Sequence, residues 1–176
     1  MVNLKDFVID VPGFPSPGII FRDITPVLAN HRALAFSIEE LARPFEGMGI
    51  DAVVGIESRG FIFGAPLALK LGASFVPIRK KGKLPREVLS EPLVKEYGED
   101  VIEIHRDDLS PGAKVLIVDD VLATGGTLES AAKIIGRTGA HLVGIVVLIN
   151  LSYLHGKERL LRELSPDTIF HYLLEY

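Results

Sequence analysis

The chain has 176 residues, 48% of them hydrophobic, which is enough for one sizeable core and too apolar for a disordered segment. A net charge of −4 argues against a nucleic-acid-binding surface spread over the whole molecule, and the lack of cysteine excludes disulfide frameworks, thiolate metal sites and cysteine nucleophiles. No apolar run approaches the roughly 18 residues of a membrane span, and MVNLKDFVID lacks the apolar stretch of a signal peptide, so the expectation is a soluble cytoplasmic protein.

Residues 12–18 (PGFPSPG) read as irregular backbone. Leu34, Ile38, Leu41, Phe45 and Met48 recur at helical spacing, with Gly47 and Gly49 placed to end that helix. Residues 52–56 (AVVGI) are apolar without alternation, as in a strand buried on both faces. Glu57-Ser58-Arg59-Gly60 interrupts the run. Phe61, Gly64, Ala65, Ala68 and Leu69 then form a predicted helical face, closed at Leu71-Gly72. Residues 74–78 (SFVPI) predict another strand, with Pro77 placing its end near an edge.

Residues 79–110 are dense in charge and poor in helical periodicity. Residues 88–93 and 101–104 predict a β-hairpin around Tyr97-Gly98-Glu99-Asp100, and so long an excursion suits a lid. Pro111-Gly112 leads into a strand at 114–118. Leu128, Ala131, Ala132 and Ile135 mark a helix, which Gly136 and Gly139 help to end, and residues 142–149 form a last strongly apolar strand. The tail after Asn150 is amphipathic and open to either assignment. Alternating strand and helix from 52 to 149 predicts a single α/β domain over 1–176, with a mainly parallel twisted sheet flanked by helices. Ligands in such folds bind beyond the carboxyl ends of strands, which singles out the loops 57–60 and 119–127.

The second of these loops carries the stronger chemistry. Asp119 and Asp120 follow four apolar residues. Side chains alternate along a strand, so one carboxylate can face the cleft while the other reaches across it or anchors the loop. Such carboxylates suit ribose hydroxyls or the waters of a divalent ion. In Ala123-Thr124-Gly125-Gly126-Thr127, two glycines permit close backbone approach, while successive amides, two hydroxyls and a helix start converge on an anion. Neither G-x-G-x-x-G nor G-x-x-x-x-G-K-[ST] is present. The plainer alternative is a tight strand–helix turn with an acidic pair at the solvent edge. In the first loop Arg59 offers a planar cation for phosphate oxygens; alternatively it caps a surface turn. Arg79, Lys80, Lys81, Lys83 and Arg86 form a basic run, which reads either as a solvated face or as neutralisation for a polyanion. Five histidines show no metal-ligand spacing. Phe21 is expected in the core, and Arg22 with Asp23 as a structural pair.

The segment VLIVDDVLATGGT (115–127) resembles the 5-phosphoribosyl-1-pyrophosphate (PRPP) motif of the type I phosphoribosyltransferases, in the form found in the adenine phosphoribosyltransferase family. PGFPSPGIIFRDITPVL, GIESRGFIFG, PIRKKGKLP and KEYG resemble the same family in the same order, so the likeness covers most of the chain. It implies an N-terminal hood (1–33), a mobile β-hairpin loop (79–110), and transfer of phosphoribose from PRPP to adenine, giving AMP and pyrophosphate. By resemblance Asp119, Asp120, Ala123, Thr124, Gly125, Gly126 and Thr127 bind ribose and its 5-phosphate. Glu57, Ser58, Arg59, Arg79, Lys80 and Lys83 are assigned to the pyrophosphate, with a cis Glu57–Ser58 peptide. Tyr97 covers the ribose and Glu96 handles a proton, which makes Glu96, Asp119, Asp120 and Arg59 the catalytic set; an ordinary solvated hairpin tip is the alternative for Glu96. Backbone near Ile20 and Arg22 reads adenine. Mg²⁺ enters on PRPP without direct protein ligands. The partners implied are adenine, PRPP and a second copy in a homodimer, with no nucleic acid and no membrane.

Overall fold

The computed structural model describes residues 2–93 and 100–176. Its N-terminal part contains two short antiparallel strands, β1 (Ile9–Pro12) and β2 (Ile20–Asp23), paired from Ile9 opposite Asp23 to Pro12 opposite Ile20. The Pro/Gly-rich residues between them form the connecting loop, where Gly13 donates its N–H to the Ile19 carbonyl at 2.7 Å and the Phe14–Pro15 peptide is cis. Helix α1 (Thr25–Ala29) leads to α2 (His31–Ala42), whose start is capped by the Asn30 side chain accepting from the amides of Arg32 and Ala33.

The periodicity that ran on to Met48 overstates α2. The helix stops at Ala42, Pro44 turns the chain into a 3₁₀ turn at Arg43–Phe45, and Met48 is left exposed. Phe45 still reaches the core, which is why the pattern looked continuous.

Strand β3 (Ala52–Ile56) is buried along its whole length, as its unbroken apolar run predicts. Helix α3 (Gly60–Leu71) follows, and Gly72 ends it in the left-handed conformation. Its buried face is Gly60, Phe63, Gly64, Leu67 and Ala68; the expected face included Leu69, which is 84% exposed. A helix that is apolar nearly all round has no polar stripe to fix its rotation.

Among the described residues the main sheet has seven strands in the order β5-β6-β4-β3-β7-β8-β9. Strands β4 (Ser74–Lys80), β3, β7 (Lys114–Leu122), β8 (His141–Asn150) and β9 (Ile169–Glu175) run parallel. Strands β5 (Val88–Pro92) and β6 (Val101–His105) pair antiparallel, and β6 joins β4 at Arg79 and Lys80. Pro77 lies in the part of β4 that pairs with β3, short of the junction with β6.

Helix α4 (Gly126–Thr138) starts two residues before the first apolar marker and carries Gly136 within it, leaving Gly139 as the stop. The ambiguous tail resolves into a 3₁₀ turn at Ser152–Leu154, helix α5 (Gly156–Glu163) and the edge strand β9. Helices α2 and α3 cover one face of the sheet through Leu41, Phe63 and Leu67. Helices α4 and α5 cover the other through Ile134, Ile135 and Leu160. Among the described residues no helix is long and apolar enough to cross a membrane.

Candidate active site

Strands β3 and β7 are parallel neighbours, with Ala52 opposite Val115 and Gly55 opposite Val118, so their carboxyl ends open side by side. The loops that follow them, 57–60 and 123–127, therefore border one cleft. Its volume is about 440 Å³, and it is lined by Glu57, Ser58, Arg59, Lys80, Asp119, Asp120 and Thr127 with Ile56 at the base. Strand β7 extends four residues past Val118, so both aspartates sit in strand and only 123–125 are loop.

Asp120 is buried and reaches across to the neighbouring loop, where Arg59 Nε lies 2.8 Å from its Oδ2. Asp119 stays against the backbone, its Oδ1 accepting the Asp120 N–H at 2.9 Å. Burial, reinforced by the charge of Asp120, pushes the Asp119 carboxyl well above the ordinary range. Burial also raises Asp120, against the opposing pull of the Arg59 guanidinium. The close approach of the two loops depends on Gly60: a Cβ there would stand 2.8 Å from the Val118 carbonyl oxygen and 3.1 Å from Asp119 Oδ1.

Residues 121–128 and Asp119 enclose a smaller hollow of about 80 Å³ at the start of α4. Gly125, at φ 88, is the N-cap residue, and among the described residues no side chain caps the helix. The first amides of α4 are thus left to whatever anion enters, with the Thr124 and Thr127 hydroxyls on the same loop.

The Glu57–Ser58 peptide is cis, as the family resemblance implied. The Glu57 side chain takes both Nε and a terminal nitrogen of Arg79, at 3.3 and 2.9 Å, and accepts the Lys80 N–H at 2.9 Å. The Arg79 contact holds the Glu57 carboxyl below its usual value. Glu57 and Arg79 therefore bind each other, while Glu57 and Lys80 line the cleft. Arg79 also donates to the Lys83 carbonyl at 3.3 Å. The basic run is not one uniform patch: Arg86 turns away to Asp108, at 2.6 Å, and to His105.

At the N-terminal side Ile20 is exposed, and Phe21 is half-buried at the cleft edge rather than in the core. Its ring meets Phe14 edge-on at 5.2 Å and lies 5.3 Å from the Arg59 guanidinium. Arg22 does not pair with Asp23. The register of β1 and β2 sets Asp10 opposite Arg22, and these two form the ion pair, with the guanidinium 4.1 Å from the centre of the Tyr176 ring. Asp23 instead accepts from the amide and hydroxyl of Thr25. Glu96 and Tyr97 lie outside the described residues.

Sequence reasoning assigned Phe21 to the core, gave Gly60 no role beyond the turn it belongs to, and overlooked Gly156. Gly156 packs behind the 123–127 loop, and no local pattern marks a contact between residues so far apart.

The phosphoribosyl transferase domain model matches residues 23–169. The adenine phosphoribosyltransferase of Thermobifida fusca is 53% identical over 154 residues, 88% of each chain, and that of a Cyanothece strain is 50% identical over 99% of this chain and 100% of its own. Among solved structures, the adenine phosphoribosyltransferase of Rhodothermus marinus superposes with a TM-score of 0.91 at 49% identity, covering 98% of this chain and 96% of that one. The Saccharomyces cerevisiae enzyme, complexed with an imino-altritol bisphosphate and adenine, gives 0.85 at 38% identity over 95% of each. On the site geometry, the family model and relatives this similar along nearly their whole length, the chain belongs to the adenine phosphoribosyltransferase family of phosphoribosyl transferase domains.

Proposed function

We propose that the protein transfers the phosphoribosyl group of PRPP to N9 of adenine, releasing AMP and pyrophosphate, as a step of purine salvage. The observation that carries this reading is the shared cleft: an uncapped helix start behind two glycines on one side, cations of a second loop on the other, and two carboxylates between. That order of anion site, carboxylates and anion site fits a ribose phosphorylated at both ends.

The 5-phosphate docks on residues 123–127, which fixes the sugar and supplies positioning. Asp119 and Asp120 hold the ribose hydroxyls. As the C1–O bond to pyrophosphate breaks, positive charge grows at C1 and the buried carboxylates stabilise it. Arg59, Lys80 and the Arg79 stretch, with Lys83 and the Glu57–Ser58 backbone, take the charge of the leaving pyrophosphate. N9 of adenine forms the new bond to C1 as the C1–O bond breaks, and the proton of the purine imidazole passes to Glu96 or to water. The expected mobile loop over 79–110 is narrower than that range, because β5 and β6 are held in the main sheet by buried Leu89, Ile102 and Ile104; the role carried forward is that of Tyr97, over the ribose to exclude water. Residues 1–33 form a hood whose backbone near Ile20 and Arg22 reads the base; a 6-oxopurine would leave groups unmatched there. Residues 1–176 work as one domain.

Asp119 and Asp120 present hard carboxylate oxygens to the cleft, the ligand type Mg²⁺ takes, and would hold the waters of an ion that enters on PRPP. Bound there, the ion neutralises pyrophosphate charge. The protein acts in the cytoplasm as a homodimer; Leu69, 84% exposed, and Ile62, 41% exposed, form an apolar strip on α3 that a second copy would cover.

The test is a mixture of purified protein, Mg²⁺, PRPP and equal adenine, guanine and hypoxanthine. AMP and pyrophosphate are expected in equal amounts, with chelation of Mg²⁺ stopping the reaction. GMP or IMP as the main product would overturn the base assignment, and no nucleotide at all would overturn the reaction. Sedimentation of the same sample as a monomer would overturn the dimer.

A further inference from the structure

After β8 the chain makes the 3₁₀ turn at Ser152–Leu154, and His155 then adopts φ 54, a left-handed conformation uncommon outside glycine. That turn delivers Gly156 to the rear of the 123–127 loop. A Cβ on Gly156 would stand 2.0 Å from the Ala123 carbonyl oxygen and 3.0 Å from the Gly125 nitrogen. Conversely, a Cβ on Gly125 would stand 2.8 Å from the Gly156 carbonyl oxygen. Both sides of this contact are backbone, so no side chain can swing aside to relieve it.

Local backbone gives no reason for glycine at 156. It opens α5 and, unlike Gly125, does not lie in the left-handed region. Alanine would fit that conformation and favours helix over glycine. The glycine answers to the loop in front of it. Behind it α5 is fixed: Leu160 is fully buried, and Arg159 donates to Glu129 of α4 at 3.0 Å. Ahead of it, the Leu151 N–H bonds the Leu122 carbonyl at 2.9 Å, tying the entry of the turn to the end of β7. The 123–127 loop is thus held between the cleft and a wall that cannot recede.

We infer that Gly156 is a positioning residue for phosphate recognition: its bare backbone sets the depth of the 123–127 loop and so the affinity for the 5-phosphate of ribose. The inference rests on the assignment of that loop to the 5-phosphate. Gly156 touches no substrate; it acts through Ala123 and Gly125. A merely structural glycine would affect all ligands alike, whereas this one discriminates between the two anionic ends of PRPP.

The experiment compares the full-length protein with its Gly156→Ala variant, using ribose 5-phosphate and Mg²⁺-pyrophosphate as separate calorimetric probes beside steady-state kinetics. Ribose 5-phosphate affinity and KM for PRPP are expected to worsen by about tenfold or more, while pyrophosphate affinity and KM for adenine stay within about twofold. An equal loss for both probes, or no loss for either, would overturn the inference. A second measurement needs only the unmodified protein: ribose 5-phosphate should slow amide hydrogen exchange in 152–158 together with 123–127. Protection confined to 123–127 would overturn it even if the variant does not fold. A wild type that binds ribose 5-phosphate yet makes no AMP sinks the proposed reaction and leaves this contact standing; an active wild type with an unaffected variant sinks only the contact.

Discussion

Arg59 Nε lies 2.8 Å from Asp120 Oδ2, so the cation of one loop and the buried carboxylate of the adjacent strand serve as each other's counter-ion. Pyrophosphate would draw on the same guanidinium. The pair couples the two ends of the cleft: whatever pulls Arg59 toward the leaving group alters the charge felt by Asp120.

Replacing Arg59 with alanine removes the group that opposes burial at Asp120, so the carboxyl should ionise at still higher pH. The acid limb of the kcat/KM profile is expected to move upward, with kcat/KM falling by about 100-fold at neutral pH. Profiles of both proteins across pH 5–9 would check this (roughly the range in which a raised carboxyl is visible), and an unmoved limb would remove Asp120 from catalysis.

Asp119→Asn should separate stability from activity. The Asp119 carboxyl is raised well above 3.8, so its contribution favours the fold most below that value and is lost as pH rises through the folded pKa. Above 3.8 the buried carboxyl therefore weakens the fold. The amide keeps an oxygen for the Asp120 N–H, and Tm should rise by about 2–4 °C. Turnover should fall by at least about tenfold. Below pH 4 the melting advantage should vanish; a Tm deficit at pH 7 would contradict the sign.

Gly60→Ala tests the approach of the two loops. The added methyl meets a backbone oxygen at 2.8 Å, so α3 must shift from β7. A loss of about 1–3 kcal/mol in unfolding free energy is expected, together with a drop of at least about tenfold in kcat/KM. Denaturant titration and steady-state rates measure both, and a wild-type Tm and rate would show that the loop yields freely.

Glu129 is buried between Lys133, at 2.7 Å, and Arg159, at 3.0 Å. Burial pushes its carboxyl up, but the two cations outweigh that and hold it below 4.5. Its stabilisation is therefore complete above 4.5 and lost as pH falls through the folded pKa. Glu129→Gln should cost about 1 kcal/mol at pH 7, the cations being half-exposed and able to recover water. Melting curves of the two proteins should converge in acid; a constant gap across pH would mean that packing rather than charge is lost.

What could be read from the sequence follows the range of the interactions. Residues 52–56 and 115–118 were legible as buried strands because burial on both faces leaves an unbroken apolar run, and the 123–127 loop was legible because its donors are neighbours in the chain. The rotation of α3 was not, since Leu69 and Leu67 are equally apolar and only packing distinguishes them. The partner of Arg22 was misjudged because strand register, not adjacency, chooses Asp10. Phe21 looked like a core residue by type, yet its contact with Arg59 exists only once the N-terminal strands fold against the cleft. Gly156 carried no signal at all, since its meaning lies in an oxygen more than thirty residues away.

The stacking of Arg22 on Tyr176 has a consequence for synthesis on the ribosome. The strands at 9–23 are made long before Tyr176, the ring that Arg22 rests against, and β9, which Tyr176 follows, takes its place only beside a finished β8. Vectorial folding can pair β3 with β7 before residue 176 is made, but the 9–23 strands gain this contact only after β9 and Tyr176. On the proposed assignment, the end that reads the base would be completed after the strands that carry the sugar-phosphate loop.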